Sequence, residues 1–336
     1  DTPAFVLAGV WERLRWPFTG EALAESPLGK LDVDGTLDSF SYVLDAQAFG
    51  QQIPETRLLL NGIGDATSTR IDKLSVETLG GTVTGKGSAA WSPNMTWDLA
   101  LTASDLDPGL QWSGLDGTVA LKADSRGGLA DGFDYQLKLD ANISAYPAAV
   151  VNLSGSGSGE QTRVDALTIE TLGGVIEGRG ELAWAPELAW TLRLEGNDLD
   201  PGQYDEALAG RVSLALGSSG GLAQGFAFDL KGKAELNNYP PAAIDIIGTG
   251  TAETASVDSL LLELLGGRIN GSADVAWVPE MRWDAVLTLA DIDPGTLLSD
   301  WPGRIGGRLE SAGTLTDAGP QLTARISDLS GELRGY

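Results

Sequence analysis

Carboxylates in a short recurring loop are the residues best suited to chemistry in this sequence. The loop 105–109 reads Asp-Leu-Asp-Pro-Gly, and it returns at 198–202 and, with Ile in place of Leu, at 291–295. Calcium binds about six to eight oxygens, whereas each loop supplies only two carboxylates. Asp ahead of Pro-Gly is also typical of a turn in which the carboxylate accepts a backbone hydrogen bond. We therefore expect a turn that ends a strand, and no metal site.

Two other motifs with a known chemistry have simpler interpretations. Glu177 and Glu181 are spaced like residues on one face of a strand, where carboxylates keep a surface soluble. A carboxylate pair for glycoside hydrolysis is the weaker interpretation. The glycine-rich segment 171–174 joins two strands and no helix follows it, so it does not predict a phosphate-binding loop.

The residue types that most enzymes use for acid–base and thiol chemistry are missing. The chain has 336 residues with no histidine and no cysteine. This excludes histidine-based triads, HExxH zinc sites, thiolate nucleophiles and disulfides. We therefore expect a protein that is not an enzyme and that holds no cofactor.

The charge balance narrows the class of partner. Against 47 acidic residues there are 22 basic ones, which gives a net charge of −25. Such a chain repels the phosphates of nucleic acids and of an anionic bilayer surface. No apolar run approaches the ~18 residues of a membrane span, and no signal peptide is visible. We therefore expect a soluble section of a longer protein, without a nucleic-acid partner.

The recurring loop belongs to a longer repeat around which the chain is organised. Residues 163–202 are matched by 70–109 and by 256–295, with no insertion or deletion, and the tryptophans Trp91, Trp184 and Trp277 follow one another at steps of 93 residues. A strict period of this kind indicates stacked units that bury apolar surface beside their neighbours. We expect three in-phase repeats over 36–295, an irregular lead-in over 1–35 and an imperfect start of a further repeat over 296–336.

Each repeat alternates between apolar and polar residues. In the run 176–184, every second residue is Ile, Gly, Leu or Trp, while the residues between them are mostly charged. Period-two alternation is typical of half-buried antiparallel strands, and Gly-Gly between two such runs predicts a hairpin. Each repeat is expected to hold six strands, which makes a sheet of roughly 18 to 21 strands that must curl or close.

The apolar face of this sheet has no amphipathic helix in the sequence to cover it. We therefore expect an all-β fold in which a long, curled antiparallel sheet forms an apolar groove, with inner glycines such as Gly155 and Gly157 leaving room for a guest. The residues expected to line the groove are Phe40, Tyr42, Leu58, Leu60, Val83, Trp91, Trp97, Leu99, Leu101, Phe133, Tyr135, Val151, Leu153, Ile176, Leu182, Trp184, Trp190, Leu192, Leu194, Phe226, Phe228, Leu230, Ile244, Ile246, Ile269, Val275, Trp277, Trp283 and Leu287.

Pairs of tryptophans flank a proline-containing turn in each repeat. The pair Trp91 and Trp97 has counterparts at 184 and 190 and at 277 and 283. The two rings of a pair could clasp the hairpin across its strands, or they could form a rim at the mouth of the groove. The two interpretations are compatible, and both stay open at this point.

Several of these motifs resemble a known family. The opening patterns WPFxG at 16–20 and SPxGxLxVxGTLD at 26–38, the repeated Leu-Gly-Gly turn and the WxPE(L/M)xW hairpin resemble the TamB family and its wider AsmA-like relatives. The resemblance implies a U-shaped sheet (a β-taco) with a greasy interior, as in bridge-like lipid transfer proteins. It implies a periplasmic protein, anchored in the inner membrane, that moves phospholipids between the two membranes and contributes to outer-membrane biogenesis with a TamA-like barrel partner. The membrane anchor and the C-terminal domain of that family are not recognisable in this sequence.

Three functions remain in competition. The first is a lipid conduit, in which phospholipid acyl chains follow the apolar groove. The second is a chaperone-like module that captures outer-membrane strands by pairing with a sheet edge. The third is a structural stalk whose sheet closes on a dry core. Co-purifying phospholipid would separate the first from the third.

Overall fold

The computed structural model describes residues 3–17, 21–50, 53–316 and 319–334. These residues form 21 antiparallel strands in one sheet and four single-turn 3-10 helices, which confirms the predicted all-β fold. The chain divides into two compact units, residues 1–169 and 170–336, and each is described by itself.

The first unit is a meander in which each strand from β1 to β10 pairs with the next one along the chain. Its strands are β1 Ala4–Trp16, β2 Ala24–Thr36, β3 Ser39–Gly50, β4 Thr56–Gly64, β5 Ser68–Thr78, β6 Gly81–Ala90, β7 Thr96–Leu106, β8 Gly117–Gly128, β9 Gly132–Ile143, β10 Ala149–Gly157 and β11 Gln161–Thr171, the last of which runs past the unit boundary.

The second unit repeats this pattern from β12 to β21. Its strands are β12 Gly174–Ala183, β13 Ala189–Leu199, β14 Gly210–Gly221, β15 Gly225–Leu236, β16 Ala242–Gly250, β17 Thr254–Leu264, β18 Gly267–Ala276, β19 Met281–Ile292, β20 Gly303–Thr316 and β21 Gly319–Leu333. The six strands β14–β19 make up one period, and β20 begins 93 residues after β14, where the next repeat would begin.

The N-terminal stretch is more regular than its sequence suggests. β1 and β2 pair over nearly their whole length, with Phe5 opposite Gly35 and Trp11 opposite Gly29. Alternation is hard to see in β1 because both of its faces are apolar: Val6 is 75% exposed and Val10 is 72% exposed. Phe18, part of the WPFxG pattern at 16–20, lies outside the described residues.

The tight hairpins turn one residue earlier than predicted. Leu79 and Gly80 form the two-residue loop between β5 and β6, with φ of 50° and 74°, and the same loop recurs at 172–173 and 265–266. Positive φ at both central residues is typical of a type I′ turn. The second glycine, Gly81, already belongs to β6, where it pairs with Thr78 of β5. A Cβ there would lie 2.3 Å from the carbonyl oxygen of Ser104, so this position favours glycine.

The described residues contain no closed core. Their buried hydrophobic side chains are Ala103, Leu199, Ala276 and Ile292, and no large side chain is fully buried. No helix among them is long and apolar enough to cross a membrane. The apolar side chains of the strands are therefore covered by one another and not by a second layer.

Candidate functional site

The register places the predicted groove residues on one face within each unit. In the first unit Leu137 pairs with Ala123 on one side and with Leu153 on the other. In the second unit Leu230 pairs in the same way with Leu216 and Ile246. Directly paired residues of antiparallel strands point to the same side of a sheet. This side is called the apolar face below.

The opposite face is polar and charged. Glu181 pairs with Thr191 there, and Lys231 pairs with Asp245, whose carboxylate lies 3.2 Å from the lysine nitrogen. Exposed ion pairs of this kind add little to stability, but they keep the surface hydrated. The charged side chains of the hairpins therefore lie on the face opposite the apolar one, as the alternation in the sequence predicts.

The predicted lining residues that are strand members lie on the apolar face, and all of them are half-buried except Leu182, which is 40% exposed. The other three, Trp91, Trp184 and Trp277, directly follow β6, β12 and β18 and are 43–51% exposed. These three are the tryptophans of the hairpin tips. Half-burial without a covering layer means that the apolar face of the described residues is partly exposed.

Aromatic rings are concentrated at one end of the strands. Trp97 in β7 and Phe133 in β9 make a tilted ring contact with centroids 5.2 Å apart and an interplanar angle of 47°, and Trp190 and Phe226 repeat the contact at 5.3 Å. The indole of Trp97 also donates to the hydroxyl of Ser125, at 2.8 Å. We call this end the aromatic band; it comprises Trp97, Ser125, Phe133 and Tyr135 and their counterparts Trp190, Ser218, Phe226 and Phe228.

Tyrosine hydroxyls extend the band across a further strand. The hydroxyl of Tyr135 lies 3.1 Å from that of Thr162 in β11 and donates to the carbonyl oxygen of Arg163 at 3.1 Å. Tyr42 makes the equivalent contact with Thr69, at 2.8 Å. Each tyrosine therefore ties together two strands that have another strand between them.

The inner glycines do not leave empty space for a guest, which corrects that expectation. A Cβ on Gly155 would lie 2.5 Å from the hydroxyl of Tyr135, and a Cβ on Gly157 would lie 2.6 Å from the ring of Phe133. The rings of the chain itself lie on the glycines, as in other cross-strand pairs of an aromatic residue with glycine. The same packing occurs at Gly62, Gly64, Gly248 and Gly250.

The other part of the apolar face carries only aliphatic side chains. We call it the aliphatic lane. Five of its twelve members are among the predicted lining residues, and the alternation of β8, β9, β14 and β17 could have identified the other seven. In the first unit the lane comprises Leu121, Ala123, Leu137, Leu139, Val151 and Leu153, and in the second Leu214, Leu216, Leu230, Ile244, Ile246 and Leu262.

The tryptophans of the hairpin tips bind neighbouring tips. The indole of Trp91 donates to the carbonyl oxygen of Ala66 at 2.9 Å, and that of Trp277 donates to Ala252 at 2.7 Å. The tryptophan at the strand start, Trp97, instead contacts the ring of Phe133. The rings therefore join hairpins to one another, and the tip tryptophans also form an exposed rim.

The Asp-Pro-Gly loops are turns, as predicted. Asp200 Oδ1 accepts from the backbone N–H of Gly202 at 2.9 Å and from that of Gly210 at 2.9 Å. One carboxylate oxygen thus caps a 3-10 turn and fixes the start of β14. Among the described residues, no cluster of three or more acidic side chains could hold a metal ion.

Two concavities of the second unit are lined largely by polar-face residues. One in the second unit, of about 760 Å³, includes Thr249, Ser256, Asp274 and Asp284, which are paired in register across β16 to β19. Another, of about 350 Å³, includes Lys231 and other polar-face residues. The lining of the first concavity also includes Phe226, Val275 and Trp283 of the apolar face.

Comparison with known proteins gives one family. The family model described as TamB, N-terminal domain, matches the chain three times, over residues 2–132, 127–225 and 218–336. No solved structure matches the chain. The three matches cover almost all of the sequence, which agrees with its internal repeat.

Proposed function

Since the chain belongs to the TamB family, we propose that it carries phospholipids along its apolar face between the inner and outer membranes. In this proposal the chain works in the periplasm and contributes to outer-membrane biogenesis. The observation that supports the proposal most strongly is an apolar face that lies in register over successive strands and has no covering layer.

The energetics of a lipid explain why such a face is useful. A two-chain phospholipid exposes about 30 methylenes, and at about 0.8 kcal/mol each its transfer through water costs on the order of 20 kcal/mol. A protein lowers this cost only by offering apolar contact along the whole path. The stalk hypothesis requires a dry core instead, and the described residues bury no large side chain.

The remaining partners follow from the same proposal. The cargo would be bound by its acyl chains and would need no cofactor. A TamA-like barrel would receive the protein at the outer membrane. The net charge of −25 disfavours nucleic acid as a partner. No catalytic role is proposed.

Native mass spectrometry of the purified chain tests lipid binding. We expect phospholipid adducts that survive gentle ionisation and disappear after detergent exchange. Glu181→Leu is the control, because Glu181 lies on the polar face opposite Thr191 and its replacement should leave the adducts unchanged. A lipid-free wild-type chain would refute the proposal, and loss of adducts in folded Glu181→Leu would show that the two faces are assigned the wrong way round.

Capture of outer-membrane strands by edge pairing remains the alternative. It requires a strand with a free edge, whereas strands β2 to β9 and β13 to β20 have partners on both sides. A charge placed on the apolar face would also leave edge pairing unchanged, because edge pairing uses backbone hydrogen bonds. Variants that place arginine on that face therefore separate the two hypotheses.

A further inference from the structure

We propose that a surface formed by loops of the second unit docks a cationic, amphipathic peptide segment of another protein. We call this surface the loop patch; it comprises the loops 200–209, 237–241 and 293–302, which lie at the lane end of the strands. These loops are not part of the apolar face. The proposal therefore adds an interaction site and does not rest on lipid transport.

Large apolar side chains of the loop patch are exposed to solvent. Tyr204 is 67% exposed and Tyr239 is 45% exposed, and the others are Leu208, Leu297, Leu298 and Trp301. Uncovered apolar patches mark interaction sites, and tyrosine and tryptophan are enriched at protein–protein interfaces. The composition of the patch therefore fits a protein partner.

The polar atoms of these tyrosines are available to a partner. Among the described residues, the hydroxyls of Tyr204 and Tyr239 have no hydrogen-bond partner. The opposite end of the strands also exposes aromatic side chains, but there the indole of Trp277 donates to the carbonyl oxygen of Ala252 at 2.7 Å. That end uses its tip tryptophan to join neighbouring hairpins, whereas the loop patch leaves its tyrosine hydroxyls unused.

The charges of the loop patch all have one sign. Its three loops contain no lysine or arginine, and their acidic residues are Asp200, Asp205, Glu206, Asp293 and Asp300. Asp200 and Asp293 accept hydrogen bonds within their own loops, while the other three are exposed. A surface of this sign attracts a cationic partner and repels the anionic surface of a bilayer. Charge complementarity therefore selects a basic segment.

The chain itself shows how a cation binds to this patch. The guanidinium carbon of Arg334 lies 4.9 Å from the centroid of the Trp301 ring, and the backbone N–H of Arg334 donates to the carbonyl oxygen of Pro302 at 2.8 Å. An aromatic face attracts a cation, more strongly where water is excluded. Among the described residues no cation lies over the ring of Tyr204 or Tyr239, so basic side chains of a partner can take the equivalent position there.

The loops that carry the two tyrosines are held in place before any partner binds. The backbone N–H of Asn237 donates to the carbonyl oxygen of Ala209 at 2.8 Å, which joins the two loops. Tyr204 directly follows a 3-10 turn whose start is capped by the Asp200 carboxylate. The loops leave the sheet two strands apart, which corresponds to roughly 10 Å. A surface that is already ordered loses less conformational entropy when a partner binds.

Fluorescence anisotropy of a labelled synthetic peptide tests the loop patch on the full chain. The probe is a helical peptide of leucine and lysine with one apolar and one cationic face, and the same peptide with acetylated lysines is the control for charge. We expect the wild-type chain to bind the cationic peptide, with an affinity that falls as salt is added, and not to bind the acetylated one. Tyr204→Ala, Tyr239→Ala and Glu206→Lys should each weaken binding roughly tenfold.

Matched variants elsewhere in the second unit locate the bound peptide. Leu222 and Glu253 are exposed at hairpin tips on the opposite end of the strands, so Leu222→Ala and Glu253→Lys should leave the affinity unchanged. Ile246→Arg should also leave it unchanged, because Ile246 lies on the apolar face. Circular dichroism of each variant checks that the sheet is retained.

Three results would overturn the docking surface. The first is no peptide binding by the wild-type chain, or an equal loss in Tyr204→Ala and Leu222→Ala. The second is binding that is lost in Ile246→Arg and normal in folded Tyr204→Ala, which would place the peptide on the apolar face. The third is binding of phosphatidylglycerol vesicles that is lost in Tyr204→Ala, which would assign the patch to a membrane. Phospholipid adducts in native mass spectrometry are independent of all three, so the docking surface and the proposed function can fail separately.

Discussion

The rings of Trp97 and Phe133 lie 5.2 Å apart although the two residues belong to strands that are not neighbours. The strand between them, β8, contributes Gly127, which is paired with both residues. A Cβ on Gly127 would lie 2.5 Å from the Cα of Phe133, and the residue has a φ of +133°. Glycine at this point thus allows two aromatic side chains to meet over it and to fix three strands together.

The Trp97–Phe133 contact should show measurable coupling. We expect Trp97→Ala and Phe133→Ala each to lower the free energy of unfolding by about 2 kcal/mol, less than in a closed core because both rings are half-buried. In the double mutant the loss of unfolding free energy should be about 1 kcal/mol smaller than the sum of the two single losses. This difference is the contribution of the ring contact. Urea unfolding measures all three. Trp97→Ala combined with Val151→Ala is the additive control, and full additivity of the Trp97–Phe133 pair would contradict the contact.

The tyrosine hydroxyl that spans β10 can be removed in one repeat and added in the next. Tyr135→Phe should lower the free energy of unfolding by about 1 kcal/mol, because the bonds to Thr162 and to the Arg163 carbonyl are lost. Phe228 takes the same place in the next repeat, and Phe228→Tyr should raise stability by a similar or smaller amount. Unchanged stability in both variants would show that the hydroxyl contributes nothing across the strand.

The carboxylate of Asp200 should matter for folding and not for cation binding. Asp200→Ala removes the acceptor for the N–H groups of Gly202 and Gly210, and we expect a loss of about 1 to 2 kcal/mol. Glu195→Ala, an exposed polar-face change nearby, should have little effect. Addition of calcium should leave the Tm of the wild-type chain unchanged. A clear rise in Tm with calcium would restore the cation-loop interpretation.

Asp65 gives the β4–β5 hairpin tip a pH dependence. Hydrogen bonds from the Thr67 hydroxyl and N–H, together with those from Ser68, lower the pKa of Asp65 from 3.8 to about 2. The ionised form is the one stabilised in the folded state, so the stabilisation is complete above pH 3.8 and is lost as the pH falls towards 2. An NMR titration of the carboxyl group should show this low pKa. Thr67→Ala should move it back towards the ordinary value, and an ordinary pKa in the wild-type chain would contradict the hydrogen bonds.

Much of the strand order follows from the sequence because side chains alternate strictly along a strand. The 93-residue period then carries each strand assignment to the other repeats, which is why six strands per repeat could be predicted. The alternation breaks at residues such as Asp72 and Lys73, which both point to solvent at a register shift between Ile71 and Leu74. A bulge of this kind depends on the partner strand and leaves no clear local pattern.

The candidate site was only partly predictable for a related reason. Periodicity identifies which side chains share a face, and so it found Trp97, Phe133 and Tyr135. It does not say that Trp97 meets Phe133 across β8, or that Tyr135 fills the space above Gly155, since these contacts depend on the register of three strands at once. The expectation that glycines leave room for a guest was wrong at these positions for that reason.

Arginine on the lane tests the central claim most directly. Ile246 lies on the apolar face of β16, and its chain neighbour Ile247 is 50% exposed on the polar face. An arginine at position 246 would place a cation on the proposed path of the acyl chains. Burying this charge under a lipid would cost several kcal/mol of desolvation free energy. Ile247→Arg is the matched control, and Leu192→Arg with Thr191→Arg repeats the comparison in β13.

The measurement is outer-membrane integrity in cells that carry each variant, combined with lipid photocrosslinking at Leu216 and Ile269 on the two sides of Ile246. We predict that Ile246→Arg and Leu192→Arg weaken the outer membrane and that Ile246→Arg retains crosslinks at only one of Leu216 and Ile269, whereas Ile247→Arg and Thr191→Arg behave like the wild type. Normal membrane integrity in folded Ile246→Arg and Leu192→Arg, with crosslinks at both positions in Ile246→Arg, would contradict a lipid path along this face.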